Sequence, residues 1–153
     1  MKRSIVALAL AATLVACGES ASPTAPEDVT FAPSLGIDLT QMTRLESGVY
    51  IQTVTPGTGT QEVRVQDWMA AHYKFWIPDG TLIQSSTDPG MEPFNGYAYD
   101  SIEGWTLGVI GMKVGEVRKI VIPSALGYGE NPPGAEIPKN SVLIYEVTLA
   151  SIG

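Results

Sequence analysis

The sequence is poor in several residue types, and each scarcity narrows what the protein can be. It contains one cysteine, Cys17, so no disulfide can close within the chain. It contains one histidine, His72, and one His beside one Cys cannot assemble a Cys/His zinc cluster. Basic residues are scarce: 9 Lys and Arg face 16 Asp and Glu, and a net charge of -7 argues against nucleic acid as the partner. The apolar run from Ile5 to Val15 falls short of the ~20 residues that a membrane-spanning helix needs. What remains is ordinary for a folded protein: 44% apolar and 16% charged residues in 153, the length of one domain with a tail.

The N-terminus, MKRSIVALALAATLVAC, starts with Lys2 and Arg3, continues through the apolar run, and places a small residue before Cys17. That order predicts a secretory signal peptide over 1–16. The ending Leu14-Val15-Ala16-Cys17 resembles the lipobox of bacterial lipoproteins, in which the cysteine is lipidated and becomes the new N-terminus; an ordinary cleaved signal and a buried thiol are the plainer alternatives. The resemblance implies a membrane anchor through lipid on Cys17, worth about 0.8 kcal/mol per buried methylene. Gly18 instead of Asp after the cysteine implies the outer membrane of a bacterial cell envelope, facing the periplasm. From Gly18 to Asp28 the chain is small, polar and Pro-containing, and residues 29–39 carry scattered apolar side chains without a period, open to packing on the domain or to staying loose. The expected organisation is a signal peptide (1–16), a lipidated N-terminus and flexible tether (17–40), and a folded domain (41–153).

After Thr40 the punctuation becomes regular. GVYIQTVTPGTG predicts a strand ending at a Pro56-Gly57 turn. DWMAAHYKFWIPDG predicts a longer strand with Met69, Ala71, Tyr73, Phe75 and Ile77 on one face, and TLIQSS predicts its short return. In DSIEGWTLGVIGM, Asp100 and Glu103 have capping-box spacing, Ile102, Trp105 and Val109 form an apolar helical stripe, and Gly111 is a C-terminal stop. Gly104 and Gly108 are poor helix formers, which predicts a helix lying close against a sheet. EVRKIVI and SVLIYEVTLASI predict two further strands, the last with Leu143, Tyr145, Val147 and Leu149 on one face. Four or five strands, one short helix and no βαβ alternation predict an α+β fold with a twisted antiparallel sheet wrapped around that helix.

The loop IPSALGYGENPPGAEIP, from Ile122 to Pro138, sets Tyr128 between Gly127 and Gly129 and follows it with three prolines. A loop so built holds an aromatic side chain in one direction and marks a candidate site.

Three stretches together, HYKFWIPDGTLIQSS, EGWTLGVIGMKVGEVRKIVIPSALGYG and IPKNSVLIYEVTL, resemble the FKBP-type peptidyl-prolyl cis-trans isomerases. The resemblance runs from about Met42 to the C-terminus and implies a half-barrel antiparallel sheet around a short helix, with an aromatic pocket between them. By motif position it implies catalytic roles for Tyr73, Phe94, Trp105 and Tyr128, and substrate contacts from Ile83, Gln84, Ser101, Ile102, Ile137 and Tyr145. Trp105 is expected as a platform for the proline ring and Tyr128 as a hydrogen-bond donor to a substrate carbonyl. The implied activity is isomerisation of Xaa-Pro bonds in unfolded or partly folded exported polypeptides, by a monomer, without metal or cofactor. Ile83-Gln84 replaces the family's usual Phe-Asp, Ser101 replaces an aliphatic residue, and Phe75 stands where glycine is common. These departures bear on rate, so the alternative is a non-catalytic prolyl-peptide binding module or holding chaperone on the same fold. His72 is expected as a strand histidine with a local partner, Asp67, Asp79, Asp88 and Glu92 as turn and surface carboxylates, and Lys113, Arg118 and Lys119 as a solvated strand face.

Overall fold

The computed structural model describes residues 22–153. The expected signal peptide and Cys17 lie outside the described residues. In chain order the strands and helix are Thr43–Arg44 (β1), Tyr50–Thr55 (β2), Trp68–Trp76 (β3), Leu82–Ser85 (β4), Phe94–Tyr97 (β5), Glu103–Val109 (α1), Val117–Ile122 (β6) and Leu143–Ile152 (β7). The strands form one antiparallel sheet in the order β1-β2-β6-β7-β3-β4, with β5 also paired to β3. Thus β4 and β5 share one edge of β3: β4 takes Lys74–Trp76 and β5 takes Trp68–Ala71. The predicted α+β antiparallel fold is the observed one, with more strands than the sequence suggested because β1 and β5 are too short to carry a period.

The inner face of the sheet follows the period-2 patterns. Met69, Ala71 and Phe75 of β3 and Leu143, Tyr145, Val147 and Leu149 of β7 are all buried, as are Trp105 and Val109 of α1. The helix lies close against β6, as its glycines predict: a Cβ on Gly104 would overlap Ile122 Cγ2, and one on Gly108 would overlap Ile120 Cγ2. Gly111 at the helix end has φ +78°, the left-handed conformation expected of a stop. The expected capping box does not form. The N-cap is Ile102, without a side-chain cap, and Asp100 instead accepts the Tyr97 N–H at 2.8 Å, closing the turn after β5.

Two further expectations are corrected. Arg118 is buried, not part of a solvated face; it pairs with buried Glu116 at 2.7 Å and donates to the Gly108 and Ile110 carbonyls at 3.0 and 2.9 Å. Residues 24–40, expected within the tether with packing of 29–39 an open alternative, are packed on the outer face of the sheet through three short 3-10 turns, Pro26–Asp28, Pro33–Leu35 and Leu39–Gln41. Leu35 forms a second apolar cluster with Met42, Tyr50, Val121, Val142 and Ile144, joined by Val29, Phe31 and Trp76. Lys119 Nζ donates to the Leu35 carbonyl at 2.6 Å, and the Ala32 N–H to the Pro78 carbonyl at 2.8 Å. The reason lies in β6 and β7, whose apolar runs leave Val121 and Ile144 on the outer face, which must be covered. The packed unit therefore begins near residue 24, not 41.

Candidate active site

Sheet register assembles the site. Gln84, Phe75 and Tyr145 stand directly opposite one another on β4, β3 and β7, so their side chains share a face. Tyr73, two residues before Phe75, lies on that face too. Phe75 stacks on Tyr145 with ring centroids 4.8 Å apart, and Tyr73 lies 6.3 Å from Tyr145. Across the gap, Phe94 on β5 meets the indole of Trp105 at 4.5 Å. Where β3 runs between the ends of β4 and β5, Ser86 replaces a strand partner: its N–H donates to the Tyr73 carbonyl and its hydroxyl accepts the Tyr73 N–H, both at 2.9 Å. Tyr73 is thereby held at a position where the edge pairing is interrupted.

These residues enclose a cavity of about 160 Å³, completed by Ser101, Glu92, Pro93 and the loop residue Tyr128. The loop holds Tyr128 as its glycines predict. The Gly127 and Gly129 N–H groups both donate to the Ser124 carbonyl, at 3.1 and 3.0 Å, and Gly129 has φ +52°. The Gly129 carbonyl in turn accepts the Asn140 N–H at 2.7 Å. Three phenols thus converge. Burial pushes the Tyr145 phenol far above its ordinary value, and the neighbouring Tyr128 phenol raises it further. Burial also raises Tyr73, with Tyr128 adding to the shift and the hydrogen bond from Gln84 Nε2, 2.8 Å, opposing it. The result is a ring-walled cleft with neutral phenols, a few polar groups at fixed points and one carboxylate, Glu92, on its border, suited to holding a small apolar group.

Seven of the ten expected site residues line this cavity: Tyr73, Phe94, Trp105, Tyr128, Gln84, Ser101 and Tyr145. The other three are not on its wall. A register shift leaves Ile83 unpaired between the Phe75–Gln84 and Trp76–Leu82 pairs, and it packs on the core. Ile102, at the helix N-cap, and Ile137, 3% exposed, also pack on the core. Conversely Phe75, Glu92 and Pro93 line the cavity. Period 2 already placed Phe75 beside Tyr73, so that signal was present; Glu92 read as a surface carboxylate because no spacing ties it to the site. His72 sits off the cavity with a local partner, the Ser86 hydroxyl, 3.4 Å from its Nδ1.

An antiparallel sheet packed against a short helix, with an aromatic cleft bordered by a loop phenol, is the arrangement that carries the site. A family model for FKBP-type peptidyl-prolyl cis-trans isomerases matches residues 59–150, and the chain belongs to that family of enzymes. It is 40% identical over 107 residues to FK506-binding protein 1A of Neurospora crassa, covering 69% of this chain and 88% of that one. It is 41% identical over 107 residues to the FKBP-type peptidyl-prolyl cis-trans isomerase FkpA of Aeromonas hydrophila, covering 70% of this chain but 39% of the longer relative. The crystal structure of FkpA from Escherichia coli superimposes with a TM-score of 0.66 at 32% identity, over 73% of this chain and 51% of that one.

Proposed function

We propose that the protein accelerates rotation about Xaa-Pro bonds in exported polypeptides by withdrawing the bond from water in this cleft. The barrier to rotation, about 18–20 kcal/mol, comes from electron sharing between the amide nitrogen and its carbonyl. Twisting ends the sharing and leaves a less polarised carbonyl, so a dry aromatic cleft stabilises the twisted state relative to the planar amide. A ten-thousandfold gain needs about 5–6 kcal/mol of such selective stabilisation. In this reading Trp105 seats the proline ring, Tyr73, Phe94 and Tyr145 exclude water, and the Tyr128 hydroxyl donates to a substrate carbonyl. Gln84 keeps the Tyr73 phenol in place as a neutral donor. The observation that carries the reading is that the indole of Trp105 and the phenol of Tyr128, from separate segments, border one cavity.

NMR exchange or a protease-coupled assay on Xaa-Pro peptides tests it. Turnover above background that falls at least about tenfold in Trp105→Ala supports the assignment. Binding of a prolyl ligand without any turnover would instead make the protein a binding module.

We further propose that Cys17 is lipidated and anchors a monomeric enzyme to the outer membrane, facing the periplasm. What supports this is the order of basic start, apolar run and lone cysteine in the first 17 residues. Cys17→Ser should shift the protein from the membrane fraction to the soluble one; unchanged fractionation would reject the anchor.

A further inference from the structure

A polar link between residues 100 positions apart ties the N-terminal segment to the base of the Tyr128 loop. Thr24 and Ser124 form a reciprocal pair: the Thr24 N–H donates to Ser124 Oγ at 2.7 Å, and the Ser124 N–H donates to the Thr24 carbonyl at 3.0 Å. Ser124 is fully buried. Its own carbonyl receives both glycine N–H groups that flank Tyr128. One residue therefore carries the N-terminal segment on its amide and hydroxyl and the Tyr128 turn on its carbonyl. Among the described residues, every other backbone-to-backbone hydrogen bond of loop residues 123–141 stays inside the loop.

The far end of the segment is held independently. Glu27 accepts from Arg44 Nε at 3.0 Å and from the Tyr50 hydroxyl at 2.7 Å, and Pro26 is buried between these attachments. Residues 24–27 thus form a short strap between β2 and the loop. A loop of this length, with one 3-10 turn of its own at Ser124–Leu126, must overcome considerable backbone entropy to fix a hydroxyl. A bond to a second, anchored segment lowers the freedom that remains.

We infer that this strap positions Tyr128, with Thr24 and Ser124 as positioning residues for the isomerase reaction. The inference rests on the reading above that Tyr128 contacts substrate. Buried Ser124 cannot lose its partner without leaving a polar group unsatisfied or moving, and its carbonyl is the origin of the Tyr128 turn. Strap and phenol are therefore coupled through one residue, Ser124.

The test uses the full chain. Ser124→Ala removes the acceptor of the Thr24 N–H; Thr24→Pro removes the donor and keeps the carbonyl. Each is expected to lower kcat about fivefold on an Xaa-Pro peptide while KM stays within about twofold. In a Tyr128→Phe background both effects should shrink below about twofold, because the hydroxyl they misplace is gone. The Tyr128 ring signal in a tyrosine-labelled NMR spectrum should shift or broaden in both variants, without any turnover being needed. Undiminished losses in the Tyr128→Phe background, or an unmoved Tyr128 signal, overturn the strap. If the wild type lacks turnover while the ring signal still answers Thr24→Pro, the isomerase reading fails and the coupling stands. Should Ser124→Ala not fold, Thr24→Pro, on the less buried partner, decides alone.

Discussion

Arg118 and Glu116 are paired at 2.7 Å with side chains 8% and 6% exposed, and the same guanidinium grips the carbonyls at the end of the helix that carries Trp105. The arrangement satisfies a buried carboxylate, which also accepts from the Thr53 hydroxyl at 2.8 Å, and fixes the helix end with a cation at its negative pole. Arg118→Met leaves Glu116 buried and uncompensated, and should cost about 3–5 kcal/mol in denaturant unfolding. A cost under about 1 kcal/mol, the range of an exposed pair, would show that the burial is not retained in solution.

Gly108→Ala offers a second check on how the helix is seated. Helix propensity alone predicts a gain of about 1 kcal/mol. The new methyl would meet the side chain of Ile120 in a filled core, which costs about 1–3 kcal/mol. The expected outcome is net destabilisation in urea titrations. A stabilised Gly108→Ala variant would mean that helix and β6 stand further apart.

Tyr128→Phe should separate rate from stability. The side chain is only partly buried and keeps its ring, so unfolding free energy should change by less than about 1 kcal/mol. Loss of one transition-state hydrogen bond should lower kcat about five- to tenfold. An unchanged kcat would place the substrate carbonyl elsewhere.

The buried phenols set the response to base. Tyr145 and Tyr73 both have native pKa values raised above the unfolded value of about 10. Their contribution is complete below pH ~10 and is lost as pH climbs beyond it, because the unfolded chain sheds protons that the native state retains. Unfolding free energy should therefore fall above about pH 10, less steeply in Tyr145→Phe. Between about pH 7 and 9 these phenols stay neutral and turnover should be flat. A fall in stability setting in near pH 8 and abolished by Tyr145→Phe would contradict the burial of that phenol.

Much of the fold and most of the cavity were legible in the chain because alternation carries both. The same period that placed Tyr73 and Phe75 inward on β3, and Tyr145 inward on β7, also built the row that floors the site. That period contained the Arg118 answer as well: Glu116, Arg118, Ile120 and Ile122 fall on one face, and all four are buried. Charge outweighed position in reading it, whereas the protein satisfies the charge with a partner two residues away. Asp100 departs from expectation for the opposite reason. Its spacing to Glu103 fits a cap, but the chain uses the carboxylate one turn earlier, on Tyr97. Residues 29–39 show only scattered apolar side chains, compatible with packing or with a loose segment, since 3-10 turns and single anchoring side chains follow no repeat.

That unpatterned segment changes where the protein can be cut. A fragment begun at residue 41, where regular strands start, would bare Val121, Ile144 and Trp76 as one greasy slab on the back of the sheet. Such a fragment would keep every cavity residue, yet would be prone to stick to its own copies.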